Sequence, residues 1–287
     1  MSTRTLKRQH PAYRDDIADL STVRPVPGPE IDQIDPFIFL NHHGPQTYPP
    51  RNHGLPFGPH PHRGFETVTF ILTGELAHLD SGGGESIIRA GGVQWMTAGR
   101  GLVHAEVSPA SFKERGGPLE ILQLWVNLPA RLKMVDPAYI GLQQDDIPAI
   151  SEDDGKVVVH LVSGEWRGQR APIQSLADIH MTWIDLRPGG RVTLPVARSR
   201  SVFLYVVRGT IVVDGEEAEA CHLVELERDG DRVEFAAAGD ALVLFGHAEP
   251  FNEPMIAHGP FVMNTREEIR QAMADYQSGK FGGLPRR

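Results

Sequence analysis

GLPFGPHPHRGFE, residues 54–66, and GRGLVHAE, residues 99–106, place ligand-type side chains in two close pairs. His60 and His62 are two residues apart, and so are His104 and Glu106. On a β-strand, side chains at i and i+2 project from one face. Two such strands brought together present three imidazoles and a carboxylate to a single point. A donor set of nitrogen and oxygen without sulfur suits a borderline divalent metal. A lone His-x-His in a chain with 13 histidines is weak. The surrounding glycines strengthen it: Gly54 precedes His60, Gly74 closes the run after Glu66, and Gly99 and Gly101 turn the backbone toward His104. Parity leaves the carboxylate open, because Glu66 and Glu106 both lie an even number of residues from their histidines.

The pattern Gly-x5-His-x-His-x3-Glu, followed by a glycine-rich turn and a further His, resembles the paired motifs of the cupin superfamily. More narrowly, HPHRGFETV from His60 and QWMTAGRGLVHAE from Gln94 look like the signature of the pirin family, and GPFVMNTREEI from Gly259 is similar to that family's second domain. The resemblance covers nearly the whole chain. It implies a bicupin, an all-β protein of two tandem jelly-roll-like antiparallel β-barrels. It also implies that Glu106 is the metal-binding acid, leaving Glu66, the ligand in many other cupins, as a hydrogen-bonding support or alternative ligand. One divalent ion is expected in the amino-terminal domain, with Fe(II) first and Ni, Mn, Cu, Co or Zn as the others.

At 287 residues with 40% hydrophobic content, the chain can bury a large core. Its 30 glycines and 23 prolines favour a turn-rich β architecture over a helical bundle. A net charge of -9 argues against general affinity for nucleic-acid phosphates. Cys221 is the only cysteine, so no internal disulfide can form. No apolar run reads as a signal peptide or a membrane span, and the chain reads as soluble and cytoplasmic.

Along the chain, residues 35–40 read as a short strand, and NHHGP, residues 41–45, as a polar turn carrying His42 and His43. Residues 66–72 and 75–80 read as a hairpin about Gly74, with further strands at 93–97 and 121–127. Residues 129–151 read as a connector broken by Pro137 and Pro148. The expected domains are therefore 1–145, holding the metal, and 146–287, ending in a helix over 266–278.

The second half repeats the first faintly. FILTGELAHLD from Phe70 aligns with YVVRGTIVVD from Tyr205, and Ala90-Gly91 with Ala238-Gly239. Transferring the ligand offsets from Gly74 to Gly209 and from Gly91 to Gly239 gives Pro195, Ala197, Asn252 and Pro254, none of them a good ligand. The second domain is thus expected to be metal-free, with His222, His247 and His258 structural or at the surface. In the terminal helix, Thr265 and Glu268 have capping-box spacing, and Ile269, Met273 and Tyr276 form an apolar stripe expected to dock onto a barrel.

Four protein ligands on a six-coordinate ion leave open positions, which mark chemistry or small-ligand binding. Resemblance to pirins and metal-dependent cupins implies a dioxygenase acting on a flavonol such as quercetin, opening the central ring and releasing carbon monoxide. Glu106 would then act both as ligand and as proton acceptor, and Phe57, Leu102 and Trp95 would line the pocket. The same resemblance implies a competing role, an iron-dependent redox-sensing regulator that binds a partner protein.

Overall fold

The computed structural model describes residues 2–284 and is built almost wholly of antiparallel strands. It divides into two compact units. One comprises residues 14–23, 39–144 and 252–287, and the other residues 1–13, 24–38 and 145–251. Each unit is a cupin-like pair of sheets, one of seven strands and one of four. Among the described residues the two ladders of a unit remain separate rather than joining into one closed ring.

In the first unit, the smaller sheet runs in the order Phe57–His62, Leu102–Val107, Glu75–Asp80, Glu85–Arg89. The larger sheet has Phe65–Thr73 between Val93–Thr97 and Gly117–Asn127. Ile71 and Ile121 from the larger sheet pack with Leu76 and Ile88 from the smaller, so both inner faces share one apolar core. In the second unit Val192, Ile211, Val233 and Phe235 meet Ile184, Leu204 and Val243 in the same way. Alternation along each strand produces this, since every second side chain points inward. No helix among the described residues is long and apolar enough to cross a membrane.

Three expectations change. The strand expected over 35–40 runs from Phe37 to Tyr48, so His42 and His43 lie within it and are buried rather than in a turn. His42 meets Glu120 at 3.0 Å, and His43 Nδ1 meets the Thr22 hydroxyl at 2.8 Å. These partners let the polar residues stay in the ladder. Within the expected connector, Ala138–Leu142 is a strand paired with Val93–Thr97, and Ala149–Glu152 pairs with Val157–His160. The expected domains also differ from the units at their termini. Leu6–Pro11 pairs with His222–Leu226 in the second unit, while residues 252–287 belong to the first.

The terminal helix spans Arg266–Gln277 with the capping box in place. The Glu268 amide reaches Thr265 Oγ1 at 3.2 Å, and the Thr265 amide reaches Glu268 Oε2 at 2.8 Å. Its docked face matches the expected stripe only in part, at Ile269 and one side of the Tyr276 ring, which lies 5.8 Å from Phe281. Ile269, Ala272 and Asp275 are buried, whereas Met273 and Tyr276 are 38% and 40% exposed. Asp275 is drawn inward by Arg63, whose guanidinium lies 2.9 Å from its carboxylate.

Candidate metal centre

His60 and His62 lie at the end of Phe57–His62, and His104 lies directly across the ladder from His60. The three imidazoles offer ligand nitrogens within 4.8 Å of one another. Their ring centroids are 4.3 to 4.9 Å apart. Among the described residues this is the one cluster of three or more such side chains.

Hydrogen bonds fix which nitrogen each ring can give. His60 Nδ1 lies 2.7 Å from the Gly58 carbonyl and His62 Nδ1 lies 3.3 Å from the Pro260 carbonyl. A carbonyl only accepts, so each Nδ1 carries the proton and each Nε2 keeps its lone pair for a ligand. His104 is fully buried, and neither of its ring nitrogens has a partner. Leaving one buried polar group unsatisfied costs about 1–3 kcal/mol. An ion bound between the three rings removes that penalty, so the residues fit a metal.

Electrostatics point the same way. Burial, with the neighbouring His60 second, pushes the His62 imidazole down to about 3. Burial, then His62 and His60, drives His104 well below the ordinary histidine value. Both rings are therefore neutral at physiological pH, the form that binds metal.

The two glutamates part company. Glu106 follows His104 on the same strand face, between the neighbouring strands that carry Phe57 and His78. One of its oxygens accepts from Thr69 Oγ1 at 2.9 Å and the other from Gln123 Nε2. Thr69 and Gln123 stand opposite each other in the larger sheet, so its inner face is the one bearing Thr69. Glu66 lies three residues before Thr69 and therefore points to the other face. There it accepts from Thr97 Oγ1 at 2.6 Å, and burial raises its carboxyl above the usual range. Counting parity from His62 fails because the chain breaks at Arg63 and Gly64, between two strands of different sheets.

Other expected positions sort differently. Leu102 pairs with His62, and Phe57 lies 5.3 Å from the His43 ring. Trp95 is on the Glu66 face, opposite Val68, and does not reach the cluster. The tryptophan that does is Trp125, 5.3 Å from His62 and 4.5 Å from both Phe39 and Phe65. His78 was also missed. It lies 5.5 Å from His104, holds Asp80 at 2.9 Å, and is covered by Tyr139 at 3.8 Å. The same i, i+2 rule applied to His78 and Asp80 would have found it.

The Pirin family model matches residues 19–126, and the model of the pirin C-terminal cupin domain matches residues 181–282. A protein of Pseudomonas aeruginosa named putative quercetin 2,3-dioxygenase is 38% identical over 248 residues, covering 86% of this chain and 87% of its own. Human pirin is 37% identical over 265 residues, covering 90% and 87%. The crystal structure of quercetin 2,3-dioxygenase from Acinetobacter baumannii superposes with a TM-score of 0.92 at 33% identity, covering 98% and 99%.

Proposed function

Since the chain belongs to the pirin family, we propose that it is a metal-dependent cupin dioxygenase acting on a flavonol such as quercetin. The observation that carries this reading is the trio His60, His62 and His104, the last two buried, with both nitrogens of His104 unpartnered inside the first unit. The names borne by the Pseudomonas and Acinetobacter relatives support the choice of substrate.

In this reading the three histidines and Glu106 hold one divalent ion, Fe(II) first among the candidates. When bound, the ion supplies Lewis acidity toward the flavonol 3-oxygen and a route to oxygen chemistry. Glu106 takes the proton of the 3-hydroxyl, its carboxylate held in place by Thr69 and Gln123. Trp125, Phe39 and Phe65 form an aromatic wall suited to a planar ligand. Burial of His62 and His104 limits the access of water to the reacting atoms from that side. Across the reaction the two bonds to C3 of the central ring break. Both atoms of O2 enter the ring-opened ester, and C3 leaves as carbon monoxide.

The test is oxygen uptake and carbon monoxide release with quercetin, on protein loaded separately with Fe(II), Ni(II), Mn(II), Cu(II), Co(II) and Zn(II). Turnover with at least one ion is expected. Metal uptake without turnover by any loaded form defeats the enzyme and leaves the redox-sensing regulator as the working hypothesis.

A further inference from the structure

The segment that completes the first unit grips both strands that carry the histidines. Its strands Ile256–His258 and Phe261–Met263 form a short hairpin with Pro260 at the bend. The Pro260 carbonyl accepts from His62 Nδ1 at 3.3 Å and from the Arg63 amide at 3.3 Å, and the Val262 amide returns a bond to the Arg63 carbonyl at 3.0 Å. Lys133, itself buried, ties the two stretches together by donating to the Gly64 carbonyl at 2.8 Å and the Val262 carbonyl at 3.0 Å. The approach is so close at Gly64, where φ is +89°, that a Cβ would lie 2.0 Å from the Val262 oxygen.

A second grip lies at the other end of the segment. Arg63 directs Nη1 to Asp275 at 2.9 Å and Nε to the Arg100 carbonyl at 2.6 Å, in the turn that leads to His104. Phe281 lies under the Arg63 guanidinium at 4.6 Å and fills the space that a Cβ on Gly101 would need. Its carbonyl accepts from Ser81 Oγ at 2.6 Å, and that hydroxyl accepts from the Val103 amide at 3.1 Å, next to His104.

We propose that residues 256–284 are a positioning element for the three histidines, locked by the Arg63–Asp275 ion pair, which sets metal affinity without touching the ion. This rests on the reading that the histidines hold a metal. Simple burial of an apolar helix does not account for the arrangement. The helix leaves Met273 outward, sets one side of the Tyr276 ring against Phe261 and Phe281, and turns the charged Asp275 inward, where Arg63, Gln271 and Lys280 all bond to it. Partners one step removed from a metal that hold its ligands in orientation typically change affinity by roughly ten- to a hundred-fold when lost.

The experiment compares the unsubstituted chain with Asp275→Asn, and with Glu267→Gln on the exposed face of the same helix as control. Ni(II) affinity is measured by chelator competition and the Co(II) visible spectrum at a temperature where far-UV circular dichroism shows native protein. Asp275→Asn is expected to bind Ni(II) roughly ten- to a hundred-fold more weakly with an altered Co(II) spectrum, and Glu267→Gln to match the parent. A folded Asp275→Asn protein with parental affinity and spectrum overturns the proposal. If Asp275→Asn does not fold, Phe281→Leu takes its place, with the same expected and overturning results. A parent that takes up no Ni(II) or Co(II) defeats the metal reading itself, and the positioning role falls with it.

Discussion

Glu106 and Glu66 each sit within a few residues of a cluster histidine, yet Glu106 points inward from the smaller sheet and Glu66 outward from the larger, and that difference predicts how each will respond to substitution. Glu106→Gln replaces the carboxylate two residues beyond His104 on the histidine face, where the other acid, Asp80, is engaged by His78, and is expected to lose most bound metal and all flavonol oxidation. Glu66→Gln alters a carboxylate bonded to Thr97 on the far face and is expected to keep its metal. Metal content after gel filtration, with quercetin turnover alongside, separates the two. Loss of metal from Glu66→Gln with retention by Glu106→Gln would reverse the assignment. The histidines were legible because two-residue spacing survives within a single strand. Glu66 was not, because Gly64 interrupts the strand and resets which side is inward. Trp125 escaped notice for a related reason: nothing near it in sequence marks it as lying beside His62, and only the pairing of Trp125 with Thr67 brings it there.

At the scale of elements, the terminal helix and the inner strands of the second unit each offer a measurable property. Thr265→Ala removes the hydroxyl that accepts from the Glu268 amide and is expected to cost about 1 kcal/mol of stability in urea unfolding. In the second unit the His180 and His247 rings stack at 4.5 Å, and Arg200 donates to His247 Nδ1 at 2.7 Å. Burial, with Arg200 second, pushes the His180 imidazole down to about 4. Its folded value is thus below its unfolded one, so the unfolded chain binds the extra proton between the two. The stabilisation is present above about pH 6.5 and is lost as pH falls toward about 4, by at most about 3 kcal/mol. His180→Asn should flatten that part of the pH profile of unfolding free energy, and an unchanged profile would count against it. The start of the helix was readable from Thr265 and Glu268, since caps are local chemistry. Its docked face was readable only at Ile269 and Tyr276, because the partner that draws Asp275 inward lies more than two hundred residues away. The strand Ala138–Leu142 hid between Pro137 and Pro148, because prolines flank an edge strand as readily as they break a loop.

For the whole molecule, the internal repeat about Gly74 and Gly209 was visible in sequence, and both glycines turn their hairpins with positive φ. Among the described residues the second unit brings two histidines together and no cluster of three, and ring stacking does not aim their nitrogens at one point. One equivalent of metal per chain is therefore expected, and its removal by chelator should lower the melting temperature. At an ion concentration a hundred times the dissociation constant, the linkage amounts to about 2.7 kcal/mol. Two equivalents by metal analysis would contradict this. Hidden from the sequence was the exchange of ends, because hydrophobic periodicity records that a segment is buried and not which sheet it joins. That exchange carries a consequence for biosynthesis. A ribosome extends its product at roughly 5–20 residues per second, and domains commonly fold as they emerge. Here the residues that hold His62 and steady the approach to His104 are translated after all of the second unit. The half begun early is finished late, so its histidines are fully arranged to take a metal only once translation has passed Phe281.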